Sequence, residues 1–259
     1  IFNKKLFVIA EQGIGDLIQF TRYLYLIKNE YKVKLTLKIK SKKFLHFFDK
    51  NDFNVISEKK FIPKHDYHVH MMSLLRIFFK KNKFYYKTIN FLKTKKEIHK
   101  KWKEKLNKVK GVKIGINCST SSIHKNIPLN YFCDLADKYN YNFFILQKDL
   151  NSDQLNKISN NKNIFYFKDL DSSEKAFIDT IELINSLDLV ITADTALAHM
   201  SATQGKETWI ALPYVADWRW FLNENRTQWY SNVKLFRQKK IGDWKSVFDL
   251  INKKLKMKF

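Results

Sequence analysis

Proline and glycine are scarce in this 259-residue chain, which holds three prolines and six glycines, so it has no Pro/Gly-rich linker and its domains are expected to be closely joined. Cysteine is nearly absent: Cys118 and Cys133 are too few for a disulfide scaffold and lack the spacing of a metal knuckle, which points to a reducing compartment. No apolar run approaches the roughly 20 residues that cross a bilayer as a helix. Arginine supplies only five of the 48 basic residues (Arg22, Arg76, Arg219, Arg226, Arg237), although it is the side chain suited to bidentate phosphate and base contacts. Base-specific nucleic-acid reading is therefore not expected, despite a formal charge of +23. The chain opens on Ile1 rather than Met and is expected to be an excised piece.

What is abundant is Lys, together with Asn, Ile, Phe and Tyr, the mixture toward which coding DNA rich in A and T drifts. The charge is unevenly spread. Residues 1–110 hold 28 Lys/Arg against 9 Asp/Glu, net +19, whereas residues 111–259 carry only +4. Such a basic half would attract an anionic membrane surface or an acidic partner; a solvated Lys-rich face with no partner is the alternative. At 45% hydrophobic and 28% charged the composition is globular, and the length suits two domains.

Strands alternate with helices throughout. Lys5–Ala10 reads as a first strand, followed by the loop 11–15 and a helix from Asp16 to about Lys28; Lys32–Ile39 reads as a second strand. A helix near Ser41–Phe48, short strands at 54–56 and 67–69, and helical segments over Met72–Lys80 and Lys96–Lys108 complete the first half. After a boundary near 109–111 the rhythm restarts. Strands are expected at 112–116, 142–146, 164–167, 187–192 and 208–212, and helices at Leu129–Tyr139, Ser152–Ser159, Ser173–Asn185 and Thr195–Gln204. A late strand closed by Arg237-Gln238 and an amphipathic helix to Lys256 follow. The pattern predicts an α/β protein: a Rossmann-like domain over 1–110 and a second over 111–259, doubly wound and facing a cleft, with ligands beyond the carboxyl ends of the strands.

The most informative stretch is Asp194-Thr195-Ala196-Leu197-Ala198-His199, which follows an apolar strand and opens a helix. Free N–H groups and the positive end of the dipole favour an anion there, Thr195 can cap the helix, and His199 lies one turn on. The plainer reading is a cap followed by an interface histidine. Where the first strand meets the first helix, Gly13 and Gly15 suggest a tight turn or a close backbone approach; this is not the dinucleotide fingerprint, since the third glycine is missing and Gln19 holds a helical position beyond. Asp16 there is placed to act as a general base toward a hydroxyl, or as a helix N-cap. Trp218, Trp220, Trp229 and Tyr230, interleaved with Arg219 and Arg226, either stack on a base or sugar ring or pack as a buried hinge; hinge packing is the commoner outcome. Arg237-Gln238 could reach a phosphate. Asp66, His68 and His70 share one face of a strand, but no further cluster completes a metal site.

The stretch Glu-Gln-Gly-Ile-Gly-Asp-Leu-Ile-Gln-Phe-Thr-Arg-Tyr at 11–23 resembles the opening of the heptosyltransferase-like glycosyltransferases, glycosyltransferase family 9, in the form found C-terminal to tetratricopeptide repeats. Asp66-Tyr67-His68 with Met72-Ser73-Leu74, the run 190–199, Asp217-Trp218-Arg219-Trp220, Trp229-Tyr230, Leu235–Gln238 and Gly242-Asp243-Trp244 match in order over nearly the whole chain. The resemblance implies a GT-B architecture, with an acceptor-side first domain and a donor-binding second one, transferring a sugar from a nucleotide diphosphate to a hydroxyl without a metal or other cofactor. It implies Asp16 as the catalytic base, and Lys125, Asp194, Thr195, Ala196 and His199 on the donor phosphates. Gly13, Gly15, Gln19, Trp218 and Arg219 form a candidate substrate loop. Its partners would be a nucleotide sugar and a glycan, lipid or protein acceptor, in the cytoplasm or peripheral at the inner membrane face. Asn117-Cys118-Ser119-Thr120-Ser121 stands where the family usually carries a Trp and a Gly-containing turn, and Leu75 where it carries Pro. A catalytically silent binding or scaffold module, and a basic binder of anionic surfaces, are the competing expectations.

Overall fold

The computed structural model describes residues 1–49, 51–58, 60–79, 89–120, 122–222 and 224–259. Its first unit runs β1 (Lys5–Ile9), α1 (Ile14–Tyr31), β2 (Lys34–Ile39), β3 (Asn54–Ser57), β4 (Tyr67–His70) and α2 (Ser73–Phe79). The four strands are all parallel, in the order β3-β2-β1-β4. The second unit comprises α3 (Lys96–Asn107), β5 (Lys113–Asn117), α4 (Asn130–Lys138), β6 (Asn142–Ile145), α5 (Ser152–Ile158), β7 (Ile164–Phe165), α6 (Ile178–Asn185), β8 (Leu189–Ala193), α7 (Ala196–Thr203), β9 (Thr208–Leu212), β10 (Arg226–Thr227), β11 (Tyr230–Arg237) and α8 (Trp244–Lys258). Its sheet runs β10-β11-β9-β8-β5-β6-β7, parallel except where β10 turns back on β11.

Apart from β10, this is the dinucleotide-fold order, in which the second strand laid down is added on one side and the fourth on the other, leaving a crevice above the pair β5/β8. The smaller sheet repeats the first four steps of that order, with its own crevice above β1/β4. The expected α/β class with two doubly wound parallel sheets is what the chain adopts.

Helix α1 joins the two units. Every side chain from Leu17 to Leu24 is buried, the polar Gln19, Thr21 and Arg22 included, because one face covers the small sheet and another lies on α7. Gly15 permits the approach: a Cβ there would stand 3.2 Å from His199 Cδ2 and 3.6 Å from Ala196 Cα. The close contact expected at this glycine is therefore with a helix of the other unit. Arg22 donates from Nη1 to the carbonyl of Trp229 at 2.6 Å, and its guanidinium lies 4.5 Å from the Tyr230 ring centroid. One core consequently runs through both units, and a second lies under α4 and α8 around Phe132, Trp209 and Phe248. On the far flank α3 packs against α6, where Trp102 Nε1 donates to Asp179 Oδ1 at 2.6 Å.

Several elements differ from expectation. Helix α1 begins at Ile14, so Asp16 is its third residue and accepts the Gly13 N–H at 3.2 Å from inside the first turn instead of standing before it. The segment expected as a helix over Ser173–Asn185 is helical only from Ile178, since Phe177 adopts a left-handed φ of 62° and the Asp171 carboxylate caps the N–H groups of Asp179 and Thr180. Ser41–Phe48 is a 3-10 turn over Lys42–Phe47, β7 is two residues long, and Lys80 lies outside the described residues. The short β10 pairing was not anticipated.

Candidate active site

Each crevice is built from the same parts and finished differently. Above β1/β4, the Glu11 carboxylate accepts the backbone N–H groups of Met71 at 3.0 Å and Met72 at 3.2 Å, so the turn after β1 is bolted to the turn after β4. Above β5/β8 there is a cavity of about 480 Å³, lined by Asn117, Ser119, Gln147, Phe177, Thr195 and Ala196 among others, with Lys43 contributed by the first unit. Thr195 is the N-cap of α7, its Oγ1 accepting the Leu197 N–H at 3.2 Å, so the helix start with its N–H groups lacking intrahelical partners opens on this space. Gln147 shapes the opposite wall. Its Oε1 accepts the N–H groups of Cys118 at 3.2 Å and Ser119 at 3.3 Å, which pins the turn after β5.

The cavity is bordered by a network that ties both units together. Lys125 Nζ bonds Asp194 Oδ2 at 2.6 Å, while the other oxygen of that buried carboxylate accepts Trp220 Nε1 at 2.7 Å. The neighbouring residue, Arg219, donates from Nη2 to Asp16 Oδ1 at 2.7 Å, a contact across 203 residues of sequence. Its Nε faces Asp217 Oδ1 at 3.0 Å and its Nη1 meets His199 Nε2 at 3.3 Å. A single 3-10 turn, Trp218–Trp220, thus holds the carboxylate of the first unit with one residue and that of the second with the next. Among the described residues each Asp16 oxygen accepts one bond, which leaves it a further lone pair.

His199 is fully enclosed, stacked on Trp220 at 5.3 Å between centroids. Burial first, then the positive charges of Arg219, Arg22 and Lys125, push its imidazole well below its ordinary value. Because Arg219 can only donate, Nε2 is the acceptor and Nδ1 carries the proton toward Tyr230 Oη, 3.0 Å away. Both ring nitrogens are therefore used inside the protein, and the ring acts on Arg219 instead of lining the cavity.

Of the residues named from sequence, Thr195 and Ala196 line the cavity, Asp194 and Lys125 pair beside it, and Asp16 and Arg219 meet each other. Gly13 closes the α1 start. Gln19 is completely buried, and among the described residues its amide oxygen and nitrogen have no hydrogen-bond partner. Trp220, Trp229 and Tyr230 are buried, matching the hinge-packing reading, but Trp218 is half exposed. Arg237 turns away from the cavity and donates to the carbonyls of Trp220 and Phe221, because those carbonyls end the 3-10 turn next to it; Gln238 accepts the N–H groups of Tyr214 and Gly242. Sequence reasoning missed Glu11, Gln147 and Trp220 in their actual duties. The available signal for Gln147 was a lone amide directly after the apolar strand expected at 142–146, at a strand's carboxyl end.

Among the described residues no group of three or more His, Cys, Asp or Glu could hold a metal ion, and no helix is long and apolar enough to cross a membrane. In the His65–His70 run, Asp66 accepts the Lys5 N–H at 2.8 Å and His65 stacks on Phe7. No protein-family model matches the sequence, and no curated protein matches it. Among solved structures, the glycosyl transferase family 9 protein of Veillonella parvula DSM 2008 superposes with a TM-score of 0.69 at 12% identity, over 99% of this chain and 97% of its own. The fold is GT-B-like. ADP-heptose LPS heptosyltransferase II of E. coli superposes at 0.62 with 10% identity over 98% of this chain and 99% of its own. The iron-containing dodecameric glycosyltransferase TibC of enterotoxigenic E. coli H10407 superposes at 0.61 with 9% identity, covering 88% of this chain and 64% of that one. In the GT-B-like frame, the 480 Å³ cavity belongs to the larger sheet and Asp16 to the smaller.

Proposed function

We propose that this protein is a glycosyltransferase that moves a sugar from a nucleotide diphosphate to a hydroxyl acceptor, without a metal ion. The observation that carries the reading is the single turn Trp218–Trp220, which sets one carboxylate, Asp16, at a fixed reach from a second, Asp194, whose partner Lys125 and neighbouring α7 N-terminus suit a diphosphate. The nucleotide occupies the cavity, with its phosphates at Thr195 and Ala196. Asp16 takes the proton of the acceptor hydroxyl as its oxygen attacks the anomeric carbon; the bond from that carbon to the diphosphate breaks. The electron pair leaves with the diphosphate. Lys125 and the helix start take up that charge in place of a divalent cation. The neighbours support a nucleotide-sugar donor through the ADP-heptose named for the E. coli enzyme.

A thermal-shift series with ADP, UDP and GDP in the presence of EDTA tests the donor half. At least one should raise the melting temperature, and by about 2.7 kcal/mol of apparent stability when present at a hundred times its dissociation constant. A flat response to all three ends the reading, and a response only after EDTA is replaced by a divalent metal ends its metal independence.

A further inference from the structure

The guanidinium of Arg219 is divided among three partners. Nη2 donates to Asp16 Oδ1 at 2.7 Å, Nη1 lies 3.3 Å from His199 Nε2, and Nε faces Asp217 Oδ1 at 3.0 Å. An arginine beside a carboxylate commonly closes on it with two parallel N–H bonds, the strongest arrangement open to the pair. Two edges of the guanidinium can do this, one formed by Nη1 and Nη2 and one that includes Nε. Here His199 takes a nitrogen of the first edge and Asp217 faces that of the second, so Asp16 receives a single N–H from Arg219.

The histidine is held for that duty. Its ring stacks on Trp220, with centroids 5.3 Å apart and 18° between the planes, and Tyr230 Oη lies 3.0 Å from Nδ1. The absent side chain of Gly15 leaves room for its other edge, since a Cβ there would stand 3.2 Å from Cδ2. Ring plane, tautomer and distance are thereby fixed, and the lone pair on Nε2 points to Arg219. Being uncharged, the imidazole draws off one N–H without competing for the ionic attraction of Asp16. Without it Nη1 would be a buried donor in want of an acceptor, and turning the guanidinium onto both Asp16 oxygens would satisfy it. Oδ2, which already accepts the Gly13 N–H, would then have no lone pair left for a proton.

We propose that His199 is a positioning residue for Asp16: by engaging Nη1 of Arg219 it holds the Arg219–Asp16 pair to one bond and keeps the carboxylate open to a proton. That the proton comes from an acceptor hydroxyl rests on the function proposed above; the one-bond geometry does not. Two substitutions separate the duties of the ring. His199→Phe keeps an aromatic face for Trp220 and removes the acceptor, whereas His199→Gln returns an amide oxygen near the position of Nε2. Labelling of the intact chain with a water-soluble carbodiimide and glycine ethyl ester, read by peptide mass spectrometry, reports how firmly Asp16 is tied, because a carboxyl must leave its arginine to be coupled. Asp16 should label about tenfold more slowly in His199→Phe, and within about threefold of the unsubstituted chain in His199→Gln. Adding Arg219→Lys to His199→Phe should restore the rate, since an ammonium cannot make the two parallel bonds; damage to the fold would not be repaired in this way. Release of nucleoside diphosphate from ADP-glucose, UDP-glucose or GDP-glucose, with water as acceptor, should follow the same order in kcat, while affinity for the nucleoside diphosphate stays within about twofold. A labelling rate undiminished in His199→Phe, or a slow rate that Arg219→Lys does not lift, overturns the proposal. Should His199→Phe not fold, Tyr230→Phe replaces it: with Nδ1 unpartnered the tautomer is released, and an unchanged rate there is equally fatal. Loss of nucleotide affinity in His199→Phe would assign the ring to the donor and overturn it too. If labelling follows the expected order and no nucleotide binds, the positioning stands and the glycosyltransferase reading falls; if ADP binds and labelling is alike in all variants, the reverse holds.

Discussion

The crevice of the small sheet and that of the large one arise from the same strand order, yet one is stoppered and the other is open. Above β1/β4 the protein's own Glu11 accepts two backbone N–H groups; above β5/β8 the corresponding turn is drawn aside by Gln147, and a 480 Å³ cavity remains. Strand order creates a place where loops diverge, and the side chain sent into it decides whether that place serves cohesion or ligand. The small sheet brings Asp16 to the seam, where Arg219 holds it.

The comparison breaks most visibly if the seam does not matter. Asp16→Asn should lower turnover by about 100-fold to 10,000-fold while nucleotide affinity measured by calorimetry stays within about twofold. Unchanged turnover would remove Asp16 as the base. Next in size, Lys125→Met leaves the buried Asp194 carboxylate with only Trp220 as partner and strips a cation from the phosphates; nucleotide diphosphate binding should weaken by about 2 kcal/mol, roughly thirtyfold. Wild-type affinity in that variant would show the open crevice to be idle. Glu11→Ala sharpens the other side of the contrast. It should destabilise the fold by about 1–3 kcal/mol in urea titration, because two N–H groups lose a charged acceptor, with nucleotide affinity unaltered. An equal loss in nucleotide binding would mean that the two crevices are not independent.

The smallest effect is a pH dependence rooted in the seam. His199 is held neutral in the folded state, its imidazole pushed well below the ordinary histidine value near 6.5 by burial and by Arg219, Arg22 and Lys125. The unfolded chain therefore binds more protons than the native one once pH drops below that value. This contribution to stability is complete above about pH 6.5 and is lost on acidification, at up to about 1.4 kcal/mol per pH unit. Urea titrations between pH 7.5 and 5.5 should show that slope, and His199→Gln should flatten it. Equal slopes in the two proteins would place the titration elsewhere; His46, also lowered by burial and by Lys175, is the next group to replace.

The sequence was legible where the physics is local. Strands with apolar runs, the helix at 195–203 with its Thr195 cap, and the helix covering Asp16 follow from periodicity and capping within a few residues. It misled where a distant side chain overrides a local preference. Asp171 sets the start of α6 at Ile178, cutting short the helix expected from Ser173, and the Trp220 and Phe221 carbonyls take the arginine that could have reached a phosphate. His199 could be placed on one face of its helix from its spacing alone, but not behind Arg219 instead of in the cavity.

By itself the sequence determined the α/β alternation, the two sheets and the chemistry of the residues at the strand ends, because backbone propensity, caps and apolar period act between neighbours. Only the tertiary structure decided that Arg219 meets Asp16 across 203 residues, and that Glu11 closes one crevice while Gln147 holds the other open. Those outcomes depend on which surfaces survive the packing of both units against α1, and no local interaction carries that information.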